Sequence, residues 1–313
     1  MIKVTTVLYR LFTRFLNGLP FTIRNTLFSL WKKSKIPFNK FYRDLPFYGI
    51  LKINDSNCRF IMQSTGGTIE NEIFWKGLKN SLEPETIWIW KHLMGKGINT
   101  IIDIGANTGL YSLLSSSINK NCTVIAFEPS KNTYAKLVKN IQLNKFKIKH
   151  ECMALSYFSG ERVFYEPNVE NQSNATLSPI MAKFITDNSG QINEYMVKTT
   201  SLDEYLKSNK QIISDLVKID VELHEPSVFK GMKDTMESQK PFILFEVLTN
   251  DIANDLNYLF ESFPDYELYS FIKTKESFRL KKVKTLSGKP DGNWNYFACP
   301  DNRKSNIVGI IAE

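Results

Sequence analysis

The 313-residue chain is poor in the residues that build disulfide frameworks and metal clusters. It holds three histidines and four cysteines, and no two cysteines form a Cys-x-x-Cys pair. Such sparse cysteines are typical of reduced thiols in proteins that work inside cells, so we expect a cytoplasmic location. The Gly-x-Gly-x-x-Gly turn of dinucleotide-binding proteins is also missing, which argues against a bound pyrophosphate.

Acidic residues are absent from residues 1–43, and this absence accounts for the net charge of +8. Nine of the 40 Lys and Arg residues lie in that segment, so the remaining 31 basic residues face 32 acids. An enzyme that grips nucleic acid is expected to carry positive charge over its main body. The sequence therefore predicts no nucleic-acid partner.

Long hydrophobic runs are missing as well, although apolar residues recur at helical spacing from Val4 to Leu19 and from Ile23 to Trp31. These stretches are too short and too often broken by Arg to span a bilayer, and they do not resemble a secretory signal. We expect residues 1–43 to form a basic amphipathic helical segment. Its apolar face packs on the main domain or a second subunit, or residues 1–31 make a peripheral contact with an anionic membrane.

Residues 44–95 are predicted to form a preamble, with a β-hairpin over residues 49–62 and a helix over residues 85–94. From residue 96 to residue 313, strands alternate with helices, which is typical of one α/β domain with a parallel sheet. Its strands are expected at residues 100–104, 123–128, 148–153, 216–221, 242–247, 267–272 and 295–299. Residues 160–200 lose this regularity, and we expect a long loop there between two short strands.

The first strand of this domain leads into Asp103-Ile104-Gly105-Ala106-Asn107-Thr108-Gly109. In open α/β sheets, ligands bind outside the carboxyl ends of the strands. Gly105 and Gly109 allow a tight turn, while an acid at the end of an apolar strand needs a partner. Asp103 would repel a phosphate but suits a cation, which indicates S-adenosylmethionine as the cofactor. Glu128 ends the next strand, where an acid accepts hydrogen bonds from ribose hydroxyls.

Several motifs in a fixed order extend this pattern. They are IIDIGANTGLYSLL at 101–114, AFEPS at 126–130, MALSYFSG at 153–160, TTSLDEYL at 199–206, LVKIDVELHEPSVFKG at 216–231 and ILFEV at 243–247. With these motifs the chain resembles the FkbM family of methyltransferases over roughly residues 85–250.

The resemblance implies a class I methyltransferase fold, an α/β Rossmann-like sheet of seven strands with the last strand antiparallel. The N-terminal helical extension lies outside it. The resemblance also implies a cofactor site in which the methionine end lies at Asp103, Gly105, Asn107 and Gly109, the ribose at Glu128, and the adenine at Ala154, Leu155 and Ser156.

The fourth strand carries the candidate catalytic residues Asp220, Glu222 and His224. Strand alternation places Asp220 and Glu222 on one side, while we expect Lys218 on the opposite side. Three roles stay open: Asp220 or His224 acts as general base, a divalent cation is held by Asp220, Glu222 and Glu246, or these acids are structural.

One position departs from the family pattern, which favours Gly where this chain has Leu223. If the turn needs a positive φ there, leucine strains it. The resemblance implies O-methylation of a hydroxyl on a sugar, glycan or natural-product acceptor. The alternative is a catalytically altered binding protein of the same fold. The Asn-Pro-Pro-Tyr motif of base-flipping methyltransferases is absent after the fourth strand, which again argues against nucleic acid.

Overall fold

The structure is a computed structural model that describes residues 12–33, 44–168, 175–189, 191–275, 277–288 and 294–312. None of the helices in these ranges is long and apolar enough to cross a membrane. The predicted helical pattern before residue 12 lies outside the described residues.

The N-terminal part consists of helices and one hairpin. Helix α1 covers residues 12–18, and the elements that follow it are α2 (Phe21–Lys33), β1 (Tyr48–Asp55), β2 (Cys58–Thr65), α3 (Thr68–Lys76) and α4 (Pro84–Met94). The hairpin and α4 lie where the sequence predicts them. The division into segments at residues 43 and 95 stays a prediction.

The main sheet has its strands at β3 (Thr100–Ile104), β4 (Thr123–Phe127), β5 (Ile148–Glu151), β9 (Leu216–Ile219), β10 (Phe242–Glu246), β11 (Tyr266–Lys273), β12 (Phe278–Val283) and β13 (Asn295–Pro300). Their spatial order is β12-β11-β13-β10-β9-β3-β4-β5. Strands β5, β4, β3, β9 and β10 are parallel, and β13 runs antiparallel between β10 and β11. The predicted fold class is confirmed, including the antiparallel last strand.

The predicted count of seven strands is wrong, because this sheet has eight. The additional strand β12 forms a hairpin with β11. Leu280 of β12 is fully buried, but Lys282, two residues later, is exposed and breaks the apolar alternation in the sequence.

Helices cover both faces of the sheet. They are α5 (Leu110–Ile118), α6 (Lys131–Asn144), α8 (Leu202–Ser208), α9 (Glu225–Lys230), α10 (Lys233–Ser238) and α11 (Asn250–Phe260). Ile101 packs in one apolar cluster with Trp90 of α4, and its neighbour Ile102 packs in the other with Leu256 of α11. Trp75 of α3 belongs to the first cluster, so the preamble packs on the same core.

Residues 160–200 are more regular than predicted. They form β7 (Gly160–Pro167), α7 (Pro179–Ser189) and β8 (Ile192–Thr200), and β8 lies between β7 and β6 (Ala154–Leu155) in a separate sheet. The predicted long loop is therefore wrong for the described part of this segment. Its polar composition hid α7, whose buried face consists of Met181, Ala182 and Ile185.

Candidate active site

A cavity of about 1370 Å³ lies at the carboxyl ends of β3, β4, β9 and β10. Residues of α7, including Ile180 and Phe184, also line it. Pockets for one small ligand usually measure about 300–1,000 Å³. The cavity is therefore large enough for two ligands side by side. Its position agrees with the edge at which the sequence places a ligand.

The glycine turn after β3 shapes the first wall. Gly105 has φ of +79°, and a Cβ on it would lie 1.9 Å from the carbonyl oxygen of Asp220. Only glycine lets this turn pass so close to the chain after β9. Gly105 and Asn107 line the cavity. Gly109, with φ of +97°, lies behind the lining, where a Cβ would come 2.6 Å from Leu137 of α6.

Asp103 has its partner inside the protein. Its side chain is buried, and Oδ2 accepts hydrogen bonds from the backbone N of Ser112 at 3.1 Å and from the Ser112 hydroxyl at 2.6 Å. Burial raises the pKa of Asp103, against the opposing effects of Lys218 and Ser112. The expectation that Asp103 needs a cationic ligand as its partner is therefore wrong, because α5 supplies Ser112.

Glu128 lines the cavity and holds the glycine turn. Its Oε2 accepts a hydrogen bond from the backbone N of Asn107 at 2.9 Å, and its Oε1 accepts one from the backbone N of Ser130 at 2.8 Å. Burial raises the pKa of Glu128 to about 7, although both hydrogen bonds oppose the shift. Each carboxylate oxygen keeps a second lone pair for a ligand.

The short strand β6 supplies another part of the wall. Ala154 and Leu155 line the cavity, whereas Ser156 is fully buried. The Ser156 hydroxyl lies 3.0 Å from Nε2 of His224. Ser156 therefore contacts a candidate catalytic residue and lies behind the surface that faces a ligand.

Lys218 and Asp220 lie on the same side of the chain at the end of β9. Lys218 Nζ donates a hydrogen bond of 2.7 Å to Oδ2 of Asp220. The expectation that Lys218 points to the opposite side is wrong, because residues two apart in a strand share a face. Glu83 also belongs to this group: it lies 3.8 Å from Lys218 Nζ and accepts a 2.7 Å hydrogen bond from the Tyr111 hydroxyl.

Burial opposes the charge of Lys218, but the surrounding carboxylates of Asp220, Glu83 and Asp103 outweigh it and hold the Lys218 pKa above its ordinary value. Lys218 thus stays charged and holds Asp220 in place. Sequence reasoning missed Glu83, which precedes α4 and lies far from β9 in the chain. The sequence did hold one indication of this charged group, which is that Lys218 precedes Asp220 by two residues in the same strand direction.

The turn after β9 has positive φ at Leu223, the position where the family pattern favours glycine. Glu222 and Leu223 have φ of +54° and +69°. Two successive non-glycine residues in the left-handed region cost roughly 1–2 kcal/mol each. The Thr176 hydroxyl lies 3.2 Å from the Val221 carbonyl oxygen and 2.6 Å from the Glu222 carbonyl oxygen, so the segment before α7 holds this turn.

His224 and Glu225 follow this turn at the beginning of α9. His224 lines the cavity, and burial lowers its pKa to about 4, so the imidazole is neutral near pH 7. Glu225 is fully buried, and its Oε1 accepts a 3.2 Å hydrogen bond from the backbone N of Val221. Burial raises the Glu225 pKa to about 7. Glu225 therefore supports the turn from behind.

Acids predominate where the cavity meets the ends of β9 and β10. Asp220, Glu222 and Glu246 line it. Burial, followed by the charges of Asp220 and Glu222, raises the pKa of Glu246 to about 10. The structure does not bring these three into a ligand set: the described residues contain no group of three or more His, Cys, Asp or Glu arranged to hold a metal ion.

Lys273, at the end of β11, is the one Lys or Arg among the described residues that line the cavity. Sequence reasoning did not single it out, since its strand lies outside the motif block. The order of the sheet places Lys273 three strands from the end of β9.

Comparison with known proteins gives partial matches. Hexuronic acid methyltransferase AglP of Haloferax volcanii is 30% identical over 145 residues, which cover 46% of this chain and 54% of AglP. Methyltransferase 1 of Beauveria bassiana is 25% identical over 149 residues, or 43% of this chain and 58% of that protein. The chain thus spans little more than half the length of these curated relatives.

A solved structure, methyltransferase FkbM from Methylobacillus flagellatus KT, is 14% identical with a TM-score of 0.39, covering 64% of this chain and 43% of that one. The family model described as the methyltransferase FkbM domain matches residues 103–272, more than half of the chain. The chain therefore belongs to the FkbM methyltransferase family.

Proposed function

We propose that this chain is an S-adenosylmethionine-dependent O-methyltransferase whose acceptor is a hydroxyl group of a sugar or glycan. The observation that carries the proposal is the excess of acids around a cavity at the carboxyl ends of the parallel strands. Lys273 is the one Lys or Arg among its described lining residues, against six acids. Those six are Glu83, Glu85, Glu128, Asp220, Glu222 and Glu246. A cation offsets the cost of burying such carboxylates together.

The donor set fits S-adenosylmethionine, which supplies a methyl group already activated on a sulfonium. Gly105 and Asn107 offer backbone at the methionine end, and Asp103 and Gly109 support that turn from behind. Glu128 accepts hydrogen bonds from the ribose hydroxyls. Ala154 and Leu155 lie against the adenine, while Ser156 acts through His224. These roles agree with the places that the resemblance assigns, except that Asp103, Gly109 and Ser156 lie behind the cavity lining.

The task of the chain's own residues is to align the acceptor hydroxyl and to remove its proton. We assign the proton of the acceptor hydroxyl to Nδ1 of His224, because the imidazole is neutral and Ser156 occupies and orients its Nε2. Asp220 orients the hydroxyl, since its second oxygen remains available beside the one that Lys218 holds. Alignment itself supplies on the order of 7–11 kcal/mol in such reactions.

The acceptor class follows from Lys273 and from the name of the relative AglP, a hexuronic acid methyltransferase. Neighbouring strands lie about 4.8 Å apart, so the ends of β9 and β11 are separated by roughly 14 Å. A hydroxyl at Asp220 and an anion at Lys273 therefore belong to different units of the acceptor. This geometry favours an acidic oligosaccharide over a free monosaccharide.

Transfer of a labelled methyl group tests the proposal. The purified chain is incubated with labelled S-adenosylmethionine and matched oligosaccharides with and without a uronate. The expected product is an alkali-stable methyl ether, and His224→Gln lowers kcat by about 10²-fold or more. An alkali-labile methyl ester, or equal turnover by His224→Gln, contradicts the proposed chemistry. Cofactor binding without transfer to any acceptor supports the alternative, a binding protein of this fold.

A further inference from the structure

The outer side of helices α1 and α2 carries a concentration of exposed apolar side chains. Among the described residues, six large apolar side chains that are at least 41% exposed lie within residues 12–30. They are Phe12, Phe15, Phe21, Ile23, Leu27 and Leu30. Single exposed apolar residues are ordinary on soluble proteins, whereas a contiguous group marks an interaction site.

This exposure is not due to a failure of α2 to pack, because its inner side packs on residues 48–75. The Arg24 guanidinium is buried and lies 4.7 Å from the Tyr48 ring centroid. Phe28 is fully buried, 5.0 Å from the Trp75 ring centroid. Lys32 donates a hydrogen bond to the Phe74 carbonyl. Helix α2 therefore packs on the preamble through this side, and a second apolar stripe remains on its other side.

The stripe lies on one side of α2. Ile23, Leu27 and Leu30 follow each other at spacings of four and three residues, which align side chains along a helix. Thr26 and Ser29 lie between them, and no acid occurs anywhere in residues 1–43. The nearby Arg14 is exposed.

We infer that this stripe docks on an anionic lipid surface. Charge decides between a membrane and a second copy of the chain as the occupant. Helices α1 and α2 hold four Lys or Arg residues and no acid within residues 12–33, so two copies meeting here would bring like charges together. A bilayer with anionic lipids offers both an apolar interior and the opposite charge.

The position of α2 relates this contact to the cavity. Helix α3 contacts α2 through Phe74 and Trp75 near its end, and Thr68 and Ile69 at its beginning line the cavity. One helix thus connects the docking surface with the wall of the site.

Vesicle co-sedimentation of the full chain tests the inference. Vesicles of phosphatidylcholine with phosphatidylglycerol are compared with phosphatidylcholine alone. We expect binding to the anionic vesicles, at least tenfold weaker binding to the neutral ones, and a decrease with added salt. The double variant Leu27→Gln/Leu30→Gln should lose at least tenfold in binding. The control Ile213→Gln/Val308→Gln, with side chains 61% and 62% exposed elsewhere, should bind like the wild type.

Thermal melting of each variant establishes that it is folded. Analytical ultracentrifugation of the same samples tests whether a second copy of the chain covers the stripe instead. Equal binding by the stripe variant and the wild type overturns the inference. A wild-type dimer that the stripe variant dissociates, without vesicle binding, overturns it as well. Cofactor binding to the cavity is independent of this outcome, so failure here leaves the proposed function standing.

Discussion

The hydroxyl of Ser156 and Nε2 of His224 lie 3.0 Å apart, and this contact joins the wall formed by β6 to the beginning of α9. Ser156 follows the strand that we assign to adenine binding, while His224 faces the acceptor side. One buried hydroxyl therefore positions the proposed base against the cofactor half of the cavity.

Replacing Ser156 by Ala should lower kcat by about fivefold to tenfold. The variant removes a hydrogen bond worth roughly 1 kcal/mol and frees the imidazole to rotate. The KM for S-adenosylmethionine should stay near its wild-type value, because Ser156 does not line the cavity. Ser214→Ala is the control, since Ser214 is an equally buried serine whose hydroxyl bonds to Gln239. Equal kcat values for both variants would refute the positioning role.

Affinity for S-adenosylmethionine should rise with pH. Burial raises the pKa of Glu128 to about 7 and that of Glu246 to about 10, so both carboxyls carry protons in part or in full near neutrality. The protonated forms contribute stability to the folded state below the ordinary pKa of 4.5, and the Glu128 contribution is lost as pH rises through about 7. A bound cation favours the carboxylates and releases protons.

Calorimetry in buffers of different ionisation enthalpy measures this release. We expect several-fold tighter binding at about pH 7.5 than at about pH 6, with protons passing to the buffer. Proton uptake on binding, or affinity that falls over this interval, contradicts the charge assignment.

At Leu223 we expect the usual order of stability between glycine and alanine to be reversed. At most positions glycine is less stabilising than alanine by roughly 0.5–1 kcal/mol. Leu223 has φ of +69°, so Leu223→Gly should be more stable than Leu223→Ala by about 1 kcal/mol. Both variants lose the same apolar side chain, which makes the comparison a matched one. Urea unfolding of the two variants gives the difference, and a less stable glycine variant rules out the strain.

Lys273→Gln should raise the KM for an acidic acceptor by about tenfold, because a charge-assisted contact is lost. The kcat and the KM for a neutral analogue should change little. Lys275→Gln is the control, since Lys275 is exposed just beyond β11 but does not line the cavity. If both variants affect the two acceptors equally, Lys273 does not select an anion.

Much of the fold is predictable from sequence because buried parallel strands are short apolar runs between helices. The strand ending at Ile104 has the predicted bounds, and Ser130, a residue type that favours helix N-caps, caps α6 with its hydroxyl accepting from the backbone N of Thr133 at 3.1 Å. The pattern fails in α7, which lies within a segment of polar composition, and in β12, where Lys282 interrupts the apolar alternation. There the apolar side is visible only once the packing partner is known.

The site is less predictable, since the partners of its acids come from distant parts of the chain. Asp103 lies at the expected strand end, but its direction toward Ser112 depends on how α5 packs. Lys218 is a different case, because the period of the strand already places it beside Asp220. Glu83 needed the tertiary structure, as 135 residues separate it from Lys218.

Titration calorimetry with S-adenosylmethionine tests the central claim, that the acid-rich cavity is a cofactor site, most directly. The full chain should bind one equivalent, and Glu128→Ala should weaken binding by about tenfold or more through loss of the ribose contacts. Absence of binding by the wild-type chain contradicts the account.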